Sequence, residues 1–467
     1  MAASSPAERL LRLRAALAAP AAGPRAAPSP KPPLAAAAPE PSPTPALASA
    51  ACPGGAPRGH PPPIGPLAER IQRLAARAHP RRQIEGIGRP APPGSPRAPG
   101  DAALAAILGG SVHAPGVIAF VHDHPLDRPD VLRAADLQWL GLAGTPPRAA
   151  DLCFIDTETS GLAGGCGTLP FLVGIARLCG DVLRVHQWLL TGFGGERAML
   201  LALRAASADS SAWISYNGKS FDLPLLATRF ALARLDPLPP HRPHADLLHF
   251  VRTAYGRQWP DCRLATAENR LLGVRREDDL PGHAVPGVWT AFLREADAGN
   301  LPAVLLHNRL DLVSLAALLP ALGSLFETAV EPSSIPGARL PPAADHGAIA
   351  RLQLRRGRAA NALRQLEAAP QALDERARLL HADLLRRAGR LDEALALWED
   401  LAGRGVVPAV VALLRHDRRE SGQALRALHW ATRLRALEPD EPRHRRRVER
   451  LVRIAAQPQS LPLPGVD

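Results

Sequence analysis

The chain has 467 residues, which is enough for two or three domains with hydrophobic cores. Its formal net charge of +12 favours a polyanionic partner such as nucleic acid, although the near absence of lysine is equally typical of an arginine-rich proteome. The five cysteines are scattered without C-x-x-C pairing, which argues against both a disulfide framework and a zinc site.

Residues 1–100 are dominated by Ala, Pro, Gly, Ser and Arg. This composition buries too little apolar surface to offset the entropy of ordering, so we expect the segment to be largely disordered, apart from an amphipathic helix over 66–79. No apolar run approaches the roughly 20 residues that span a bilayer, and the first residues make a poor signal peptide. We therefore expect a soluble, cytoplasmic protein with no membrane partner.

The elements that follow predict an α/β domain. Residues 101–150 form a lead-in, in which DAALAAILGG predicts a short helix ended by Gly109 and Gly110, and GVIAFVHDH predicts a strand. LCFID predicts a strand buried on both faces. LPFLVGIARL and DVLRVHQWLL predict a hairpin, because only a Cys-Gly-Asp turn separates them. Helix, strand and helix patterns follow, so residues 151–325 are expected to form a core with a mixed sheet.

The last part of the chain, residues 340–455, has a helical and repetitive pattern. Gly-Arg precedes the second helix of a pair at Gly357 and at Gly389, and Ser421-Gly422 lies nearby in the third copy. Small residues occupy the expected helix crossings: Ala362, Ala394 and Ala424. A repeat of about 34 residues is typical of tetratricopeptide-like repeats, which predicts a domain that docks a protein partner.

The segment FIDTETSGL carries the strongest chemical signal. Asp156 and Glu158 are two residues apart on the predicted strand, so both carboxylates face the same side. They lie at the carboxyl end of that strand, where open α/β sheets bind ligands. Two adjacent carboxylates repel each other unless a cation binds between them, and oxygen ligands suit Mg²⁺ or Mn²⁺. Because D-x-E is common, chance acids at an exposed strand end are the alternative.

Two further segments supply acids. SYNGKSFDLPLL places Asp222 at the start of a predicted helix, where capping of that helix is the alternative role. LLHNRLDLVSLAALL places His307 and Asp311 four residues apart on one helix face, where a surface pair is the alternative. The groups 122–124 and 241–246 also contain metal-like side chains, but their predicted strand-end and loop positions favour structural roles. Of these residues, Asp246 is a minor candidate for lining the pocket.

In this order, the three motifs resemble those of the DEDD exonuclease superfamily, and residues 151–322 are similar to its YprB-type ribonuclease H-like domains. DTETSGL resembles the first motif of that family, NGKSFDLPLL the second and HNRLDLVSL the third. The resemblance implies an α/β ribonuclease H-like domain, with a mixed five-stranded sheet flanked by helices, followed here by an all-α C-terminal domain. It also implies a 3′–5′ exonuclease that hydrolyses DNA or RNA.

The resemblance further implies a site with two Mg²⁺ or Mn²⁺ ions. Asp156, Glu158 and Asp311 would bind the first ion, Asp156 would bridge to the second, and Asp222 would act through water. His307 would be the general base, although three residues separate it from Asp311 where proofreading-type members with His have four. The candidate substrate contacts lie in or beside the first two motifs: Thr157, Asn217, Lys219 and Phe221.

Two other functions are open. The nuclease domain could be degenerate and serve as a nucleic-acid-binding scaffold, with partner docking through the repeats, but the intact set of four acids argues against this. The protein could also be an endonuclease or junction resolvase on the same scaffold, but the His/Asp helix of the third motif argues against that. DNA and RNA are not distinguished, because aromatic residues are only 4% of the chain and indicate no base-stacking surface.

Overall fold

The computed structural model describes residues 100–126, 137–161, 167–239, 241–276, 280–328, 344–419 and 423–455. All of these residues belong to one compact unit. The disorder predicted for the N-terminal segment and the helix predicted over 66–79 lie outside the described residues, as does Ser421-Gly422 of the third repeat.

One mixed sheet forms the centre of the fold. Its seven strands are β1 (Ser111–Ala114), β2 (Val117–Pro125), β3 (Leu152–Thr159), β4 (Pro170–Cys179), β5 (Val182–Leu190), β6 (Ala212–Ser215) and β7 (His244–Asp246). Their order across the sheet is β1-β2-β5-β4-β3-β6-β7. β3, β6 and β7 run parallel, whereas every other neighbouring pair is antiparallel.

The sheet has two strands more than the five that the family resemblance implied. The additional strands are β1 and β2, which come from the lead-in residues 101–150. β2 pairs with the outer edge of β5 from Val117, opposite Leu190, to Pro125, opposite Val182. Without β2, this edge of β5 would present unpaired N–H and C=O groups, which are a template for pairing with another chain. The lead-in residues are therefore part of the sheet.

Helices cover both faces of the sheet. They are α1 (Asp101–Leu108), α2 (Glu196–Ala206), α3 (Asp222–Leu232), α4 (Leu247–Tyr255), α5 (Leu264–Ala267), α6 (Val285–Glu295) and α7 (Leu301–Thr328), and a π-helical turn, Glu268–Leu272, follows α5. Alternate residues of β3 enter two different cores: Leu152 and Phe154 pack with α4 and α7, whereas Cys153 and Ile155 pack with α2, α3 and α6. This alternation directs Asp156 and Glu158 toward the face that carries α7.

Among the described residues, α7 is long and apolar enough to cross a membrane by length and composition alone. This corrects the expectation that no apolar segment approaches that length. However, 72% of its apolar 18-residue window is buried inside the protein. Leu312, Leu315 and Leu319 belong to the core against the sheet, so burial explains the apolar composition of this helix.

The C-terminal region is helical throughout its described residues. Its helices are α8 (His346–Arg355), α9 (Ala359–Ala368), α10 (Glu375–Arg387), α11 (Leu391–Gly403), α12 (Val407–Asp417), α13 (Ala424–Leu437) and α14 (Pro442–Ala455). Gly357 and Gly389 adopt φ angles of 74° and 81° in the two equivalent turns, a conformation that favours glycine. The pairing of helices agrees with the predicted repeat, whereas the assignment to the tetratricopeptide family stays a prediction.

The small residues at the helix crossings follow the predicted register in two of the three copies. Ala362 and Ala394 are fully buried, but Ala424 is only half-buried. Because α13 begins at Ala424, the buried alanine of the third copy is Ala427, one helical turn later.

The first helix pair of the C-terminal region is anchored to the end of α7. Arg358 forms a two-pronged ion pair with Glu327, at 2.6 and 2.7 Å. Gln353 donates a hydrogen bond to the carbonyl oxygen of Phe326, and Ile349 belongs to the same core as the sheet. The helical region therefore continues the hydrophobic core of the α/β part.

Candidate active site

Asp156 and Glu158 lie near the carboxyl end of β3. Asp156 is opposite Gly174 of β4, and Glu158 is opposite Leu172. The segment that precedes them is fully buried, because Leu152 to Ile155 fill the two cores. A rigid, buried strand therefore presents two carboxylates at its carboxyl end, on the side of α7.

α7 brings the third motif to these carboxylates. His307 Nε2 lies 3.9 Å from Glu158 Oε1 and 4.0 Å from Asp311 Oδ2. Both acids and His307 are mostly buried, with side chains only 12–16% exposed. The helical spacing of His307 and Asp311 thus directs both side chains to the end of β3, where Glu158 lies.

Asp222 is the first residue of α3, and its carboxylate contacts β3. The residue at the N-terminal cap is Phe221, whose side chain makes no capping hydrogen bond. The Thr157 hydroxyl donates a hydrogen bond of 2.5 Å to Asp222 Oδ1. Thr157 is itself buried, which favours positioning of Asp222 over direct contact with a substrate.

A chain of amides holds Asp156. Asn308 Nδ2 donates to Asp156 Oδ2 at 2.7 Å and to the Asp156 carbonyl oxygen at 3.2 Å. Gln187 Nε2 in turn donates to Asn308 Oδ1 at 2.8 Å. The two amides reach each other across β4, because Gly174 stands between Asp156 and Gln187 in the sheet and leaves room for Asn308.

A buried arginine holds Asp311. Arg276 Nη1 lies 2.6 Å from Asp311 Oδ1, and the same guanidinium pairs with Glu268 in the π-helical turn. The side chains of Arg276 and Glu268 are 6% and 1% exposed. One oxygen of Asp311 is thus neutralised by a fixed cation, while the other oxygen faces His307.

Asp246 binds the main chain of the loop in the second motif. This buried carboxylate accepts hydrogen bonds from the main-chain N–H groups of Asn217 (2.8 Å) and Lys219 (3.1 Å), and it also caps α4 through Leu248. The side chains of Asn217 and Lys219 are exposed, and Phe221 is half-buried. Asp246 therefore supports the loop, and the two exposed side chains stay available as candidate substrate contacts.

Histidines of the groups 122–124 and 241–246 lie among contacts that stabilise the sheet. On β2, Asp123 pairs with Arg184 of β5 at 2.7 Å, and burial lowers the pKa of His122 to about 4. On β7, His244 Nε2 lies 2.7 Å from the Ser215 hydroxyl, and burial lowers its pKa to about 4. These contacts agree with the structural roles predicted for both groups.

The acids at the end of β3 oppose each other's ionisation. Burial raises the pKa of Asp156 well above its usual value, and the negative charges of Asp311, Glu158 and Asp222 raise it further. Burial also raises the pKa of Asp222 to about 6, although the hydrogen bond from Thr157 works in the opposite direction. A cation placed among these carboxylates would relieve their repulsion.

The donor set suits a hard divalent cation, because it consists of carboxylate oxygens with one imidazole nearby. As the side chains stand, however, the described ranges contain no group of three or more His, Cys, Asp or Glu residues arranged to hold a metal ion. Three of the acids have an oxygen engaged elsewhere: Asp156 by Asn308, Asp222 by Thr157 and Asp311 by Arg276. The residues therefore fit the ion in chemistry and charge, and binding requires side-chain adjustment.

The raised pKa of Asp222 predicts a pH dependence in metal-free protein. The folded state holds this proton more tightly than the unfolded chain, so the unfolding free energy falls as the pH rises from about 4 to about 6. A shift of this size corresponds to roughly 3 kcal/mol. Urea unfolding in EDTA measures the difference in unfolding free energy between the native protein and Asp222→Asn. We expect the native protein to lose stability relative to Asp222→Asn as the pH rises over this range. A pH-independent difference between the two proteins would contradict the assignment.

Four residues of this site were not singled out in the sequence: Gly174, Gln187, Arg276 and Asn308. Gln187 carried a local signal, because it is a polar residue in the inward register of an apolar strand, between Val185 and Leu189. The roles of Arg276 and Gly174 depend on contacts with α7, which is distant from both in the sequence.

The RNase_H_2 family model, described as the RNase_H superfamily, matches residues 153–322. Uncharacterized protein YprB of Bacillus subtilis (strain 168) is 33% identical to the chain over 287 residues, covering 59% of this chain and 67% of the relative. A family B DNA polymerase structure from the hyperthermophilic archaeon Pyrobaculum calidifontis is 14% identical over 54% of this chain, with a TM-score of 0.33. The chain spans 35% of that polymerase.

The mixed sheet, the acids at the end of β3 and the matched residues define a ribonuclease H-like domain, which is a nuclease-like fold. The chain belongs to the RNase H superfamily and, within it, to the family of YprB. Members of this superfamily generally use divalent metal ions, in agreement with the oxygen donors at the end of β3. The RNase H family match ends at residue 322, so it does not include the C-terminal helices.

Proposed function

We propose that this protein is a metal-dependent nuclease, and that it acts as a 3′–5′ exonuclease on DNA or RNA. The observation that carries the proposal is the meeting of two motifs: Glu158 of β3 lies 3.9 Å from His307 of α7, which also faces Asp311. Asp156 shares their repulsive environment, as does Asp222. The 3′–5′ polarity rests on the DEDD resemblance alone.

In this proposal, Asp156, Glu158 and Asp311 would hold Mg²⁺ or Mn²⁺, and Asp222 would contribute through water. The bound metal would neutralise the acids and would stabilise the attacking and leaving oxygens of the phosphodiester. His307 receives the proton of the attacking water, for which its position beside Glu158 is suited. Asn308 and Thr157 keep Asp156 and Asp222 in place.

The deciding experiment is a degradation assay on single- and double-stranded DNA and RNA, labelled at the 5′ or the 3′ end, with Mg²⁺, Mn²⁺ or EDTA. Asp156→Ala is expected to lose activity roughly a thousandfold, since losing a metal ligand removes several kcal/mol of transition-state stabilisation. Asp151→Ala is the matched control, because this acid precedes the same strand and pairs with nearby Arg148. Cleavage of circular substrates, which have no ends, would show that the protein is an endonuclease and not the proposed exonuclease.

The role of His307 is tested separately. His307→Ala is expected to lower kcat by about 10²- to 10⁴-fold, the usual contribution of a general base, while Mn²⁺ binding measured by calorimetry is largely retained. Unchanged kcat would remove His307 from the mechanism, and loss of Mn²⁺ binding would instead make it a ligand.

One observation favours the alternative, a degenerate nuclease domain that serves as a scaffold. Arg276 already neutralises one oxygen of Asp311, an acid that the mechanism assigns to the metal. If neither metal supports cleavage of any substrate while nucleic acid is still bound, the scaffold function replaces the nuclease.

The helical region, α8 to α14, has a proposed role in recruiting a protein partner, as the repeat pattern predicts. A cytoplasmic location is also part of the proposal. Affinity capture with the full chain as bait, including residues 344–455, tests the recruitment of a protein partner. Cell fractionation tests the cytoplasmic location.

A further inference from the structure

Arginines in the helical region fall into two groups. Arginines of α10 and α13 are paired with acids: Arg378 with Asp400 (3.1 Å), Arg387 with Asp383 (2.8 Å) and Arg426 with Glu399 (2.9 Å). Toward the end of the region the pairing is incomplete, although Arg443 pairs with Glu441 and Arg445 with Glu449, both at 3.2 Å. Five arginines there make no ion pair with any acid of the described ranges: Arg418, Arg446, Arg447, Arg450 and Arg453.

These five residues form what we call the arginine stripe. Arg446, Arg450 and Arg453 follow one another at i, i+4 and i+7 on α14, so they share one face of the helix. Arg418, just after α12, is close enough to Arg447 and Arg450 for their positive charges to lower its pKa, in addition to burial. Positive charges therefore outnumber negative ones on this part of α14, where Glu449 is the nearby acid and pairs with Arg445 at 3.2 Å.

Such an arrangement is unfavourable in the isolated protein, because like charges at i, i+4 destabilise a helix. A polyanion would reverse the sign of this energy. The stripe runs over about 10 Å of helix, a length over which one strand of a duplex carries about three phosphates. Guanidinium groups bind phosphate oxygens through paired hydrogen bonds.

The rest of α14 argues for a charged partner rather than a lipid bilayer. Its apolar side is used inside the protein, where Leu451 is buried and Val448 packs against the core of α10 to α13. Only Val452 and Ile454, near the end of the helix, are exposed large apolar residues. A helix that inserts into a membrane surface needs a whole apolar face free.

From these contacts we infer that the arginine stripe is a second nucleic-acid contact, which binds the phosphate backbone of the substrate outside the active site. The inference rests on the proposed function for the nature of the polyanion. Because phosphate contacts carry no sequence information, this contact retains a strand without selecting its sequence.

The test measures binding without cleavage. Fluorescence anisotropy of labelled single-stranded and duplex oligonucleotides, with the full chain in EDTA, is compared across a salt series. The triple variant Arg446→Gln, Arg450→Gln and Arg453→Gln is expected to bind about tenfold more weakly or worse near physiological salt. The slope of log affinity against log salt should also fall by about 2 to 3.

The matched control removes three paired arginines from the same region: Arg386→Gln, Arg387→Gln and Arg404→Gln. It has the same net charge as the stripe variant, so an equal loss of affinity in both would overturn the inference and leave only a net-charge effect. Unchanged binding in the stripe variant would also overturn it. Circular dichroism checks that both variants remain folded.

Two further arms separate this inference from the proposed function. Binding that depends on the stripe, in a protein that cleaves nothing with Mg²⁺ or Mn²⁺, supports the stripe while the nuclease proposal fails. Cleavage and binding that are both independent of the stripe support the nuclease and reject the stripe. Stripe-dependent binding to vesicles rich in anionic lipid, without any effect on oligonucleotides, would assign the surface to membranes and reject the inference.

Discussion

Arg276→Met is expected to lower the free energy of unfolding by about 3–5 kcal/mol, the usual cost of removing one partner of a buried ion pair. Arg276 is almost fully buried between Glu268 and Asp311. Without the guanidinium, Glu268 would be a buried, uncompensated charge, and burial already raises its pKa despite the presence of Arg276. Urea or thermal unfolding of the purified variant measures the loss.

The same measurement on Arg276→Met combined with Glu268→Gln identifies the cause. Neutralising Glu268 removes the uncompensated charge, so the double variant should recover a large part of the lost stability. Arg404→Met is the control, because Arg404 and Asp400 form an exposed pair that contributes about 0–1 kcal/mol. Equal losses from Arg276→Met and Arg404→Met would show that the buried network does not support the fold.

Gly174→Ala is expected to impair both the stability and the activity of the protein. A Cβ atom at this position would overlap Asn308 Oδ1 and lie 2.7 Å from Leu312 Cδ1. Both neighbours are fully buried on α7, so overpacking should cost about 1–3 kcal/mol. Displacement of Asn308 also removes its hydrogen bond to Asp156, which should lower activity about 10- to 100-fold, as for other residues that orient metal ligands.

Two variants separate these effects. Gly194→Ala is the steric control, because nothing lies within 4 Å of a Cβ there, and it should leave stability and activity close to those of the native protein. Asn308→Ala removes the amide without adding volume at Gly174, so it should reproduce the loss of activity and weaken Mn²⁺ binding. Full activity in Asn308→Ala would show that Asp156 needs no amide to position it.

Local sequence patterns were sufficient for the strands and helices that carry the acids. The apolar run before Asp156 predicts a buried strand, and β3 covers Leu152–Thr159. The spacing of His307 and Asp311 predicts side chains on one helix face, and His307 Nε2 lies 4.0 Å from Asp311 Oδ2 and 3.9 Å from Glu158 Oε1. These features follow from periodicity, which depends only on neighbouring residues.

Other features depended on which segments meet in space. Local pattern predicted a strand at β2 but not that it closes the outer edge of β5, and the five strands implied by the family resemblance were too few. For Asp222, two roles were compatible with the sequence, and only the tertiary structure shows that its carboxylate contacts Thr157 of β3 while Phe221 is the N-terminal cap residue of α3. The apolar composition of α7 was likewise explained only by its burial against the sheet.

The sequence by itself determined the order of elements, the residues that carry charge and the family to which the three motifs point. Only the tertiary structure decided how those charges are held: Asp156 by Asn308, Asp311 by Arg276 and Asp222 by Thr157. The physical reason is that hydrogen bonds and ion pairs between distant segments require both partners to be placed within about 3 Å of each other. Periodicity along the chain specifies which face a side chain occupies, whereas the partner on that face is set by the packing of the sheet and α7.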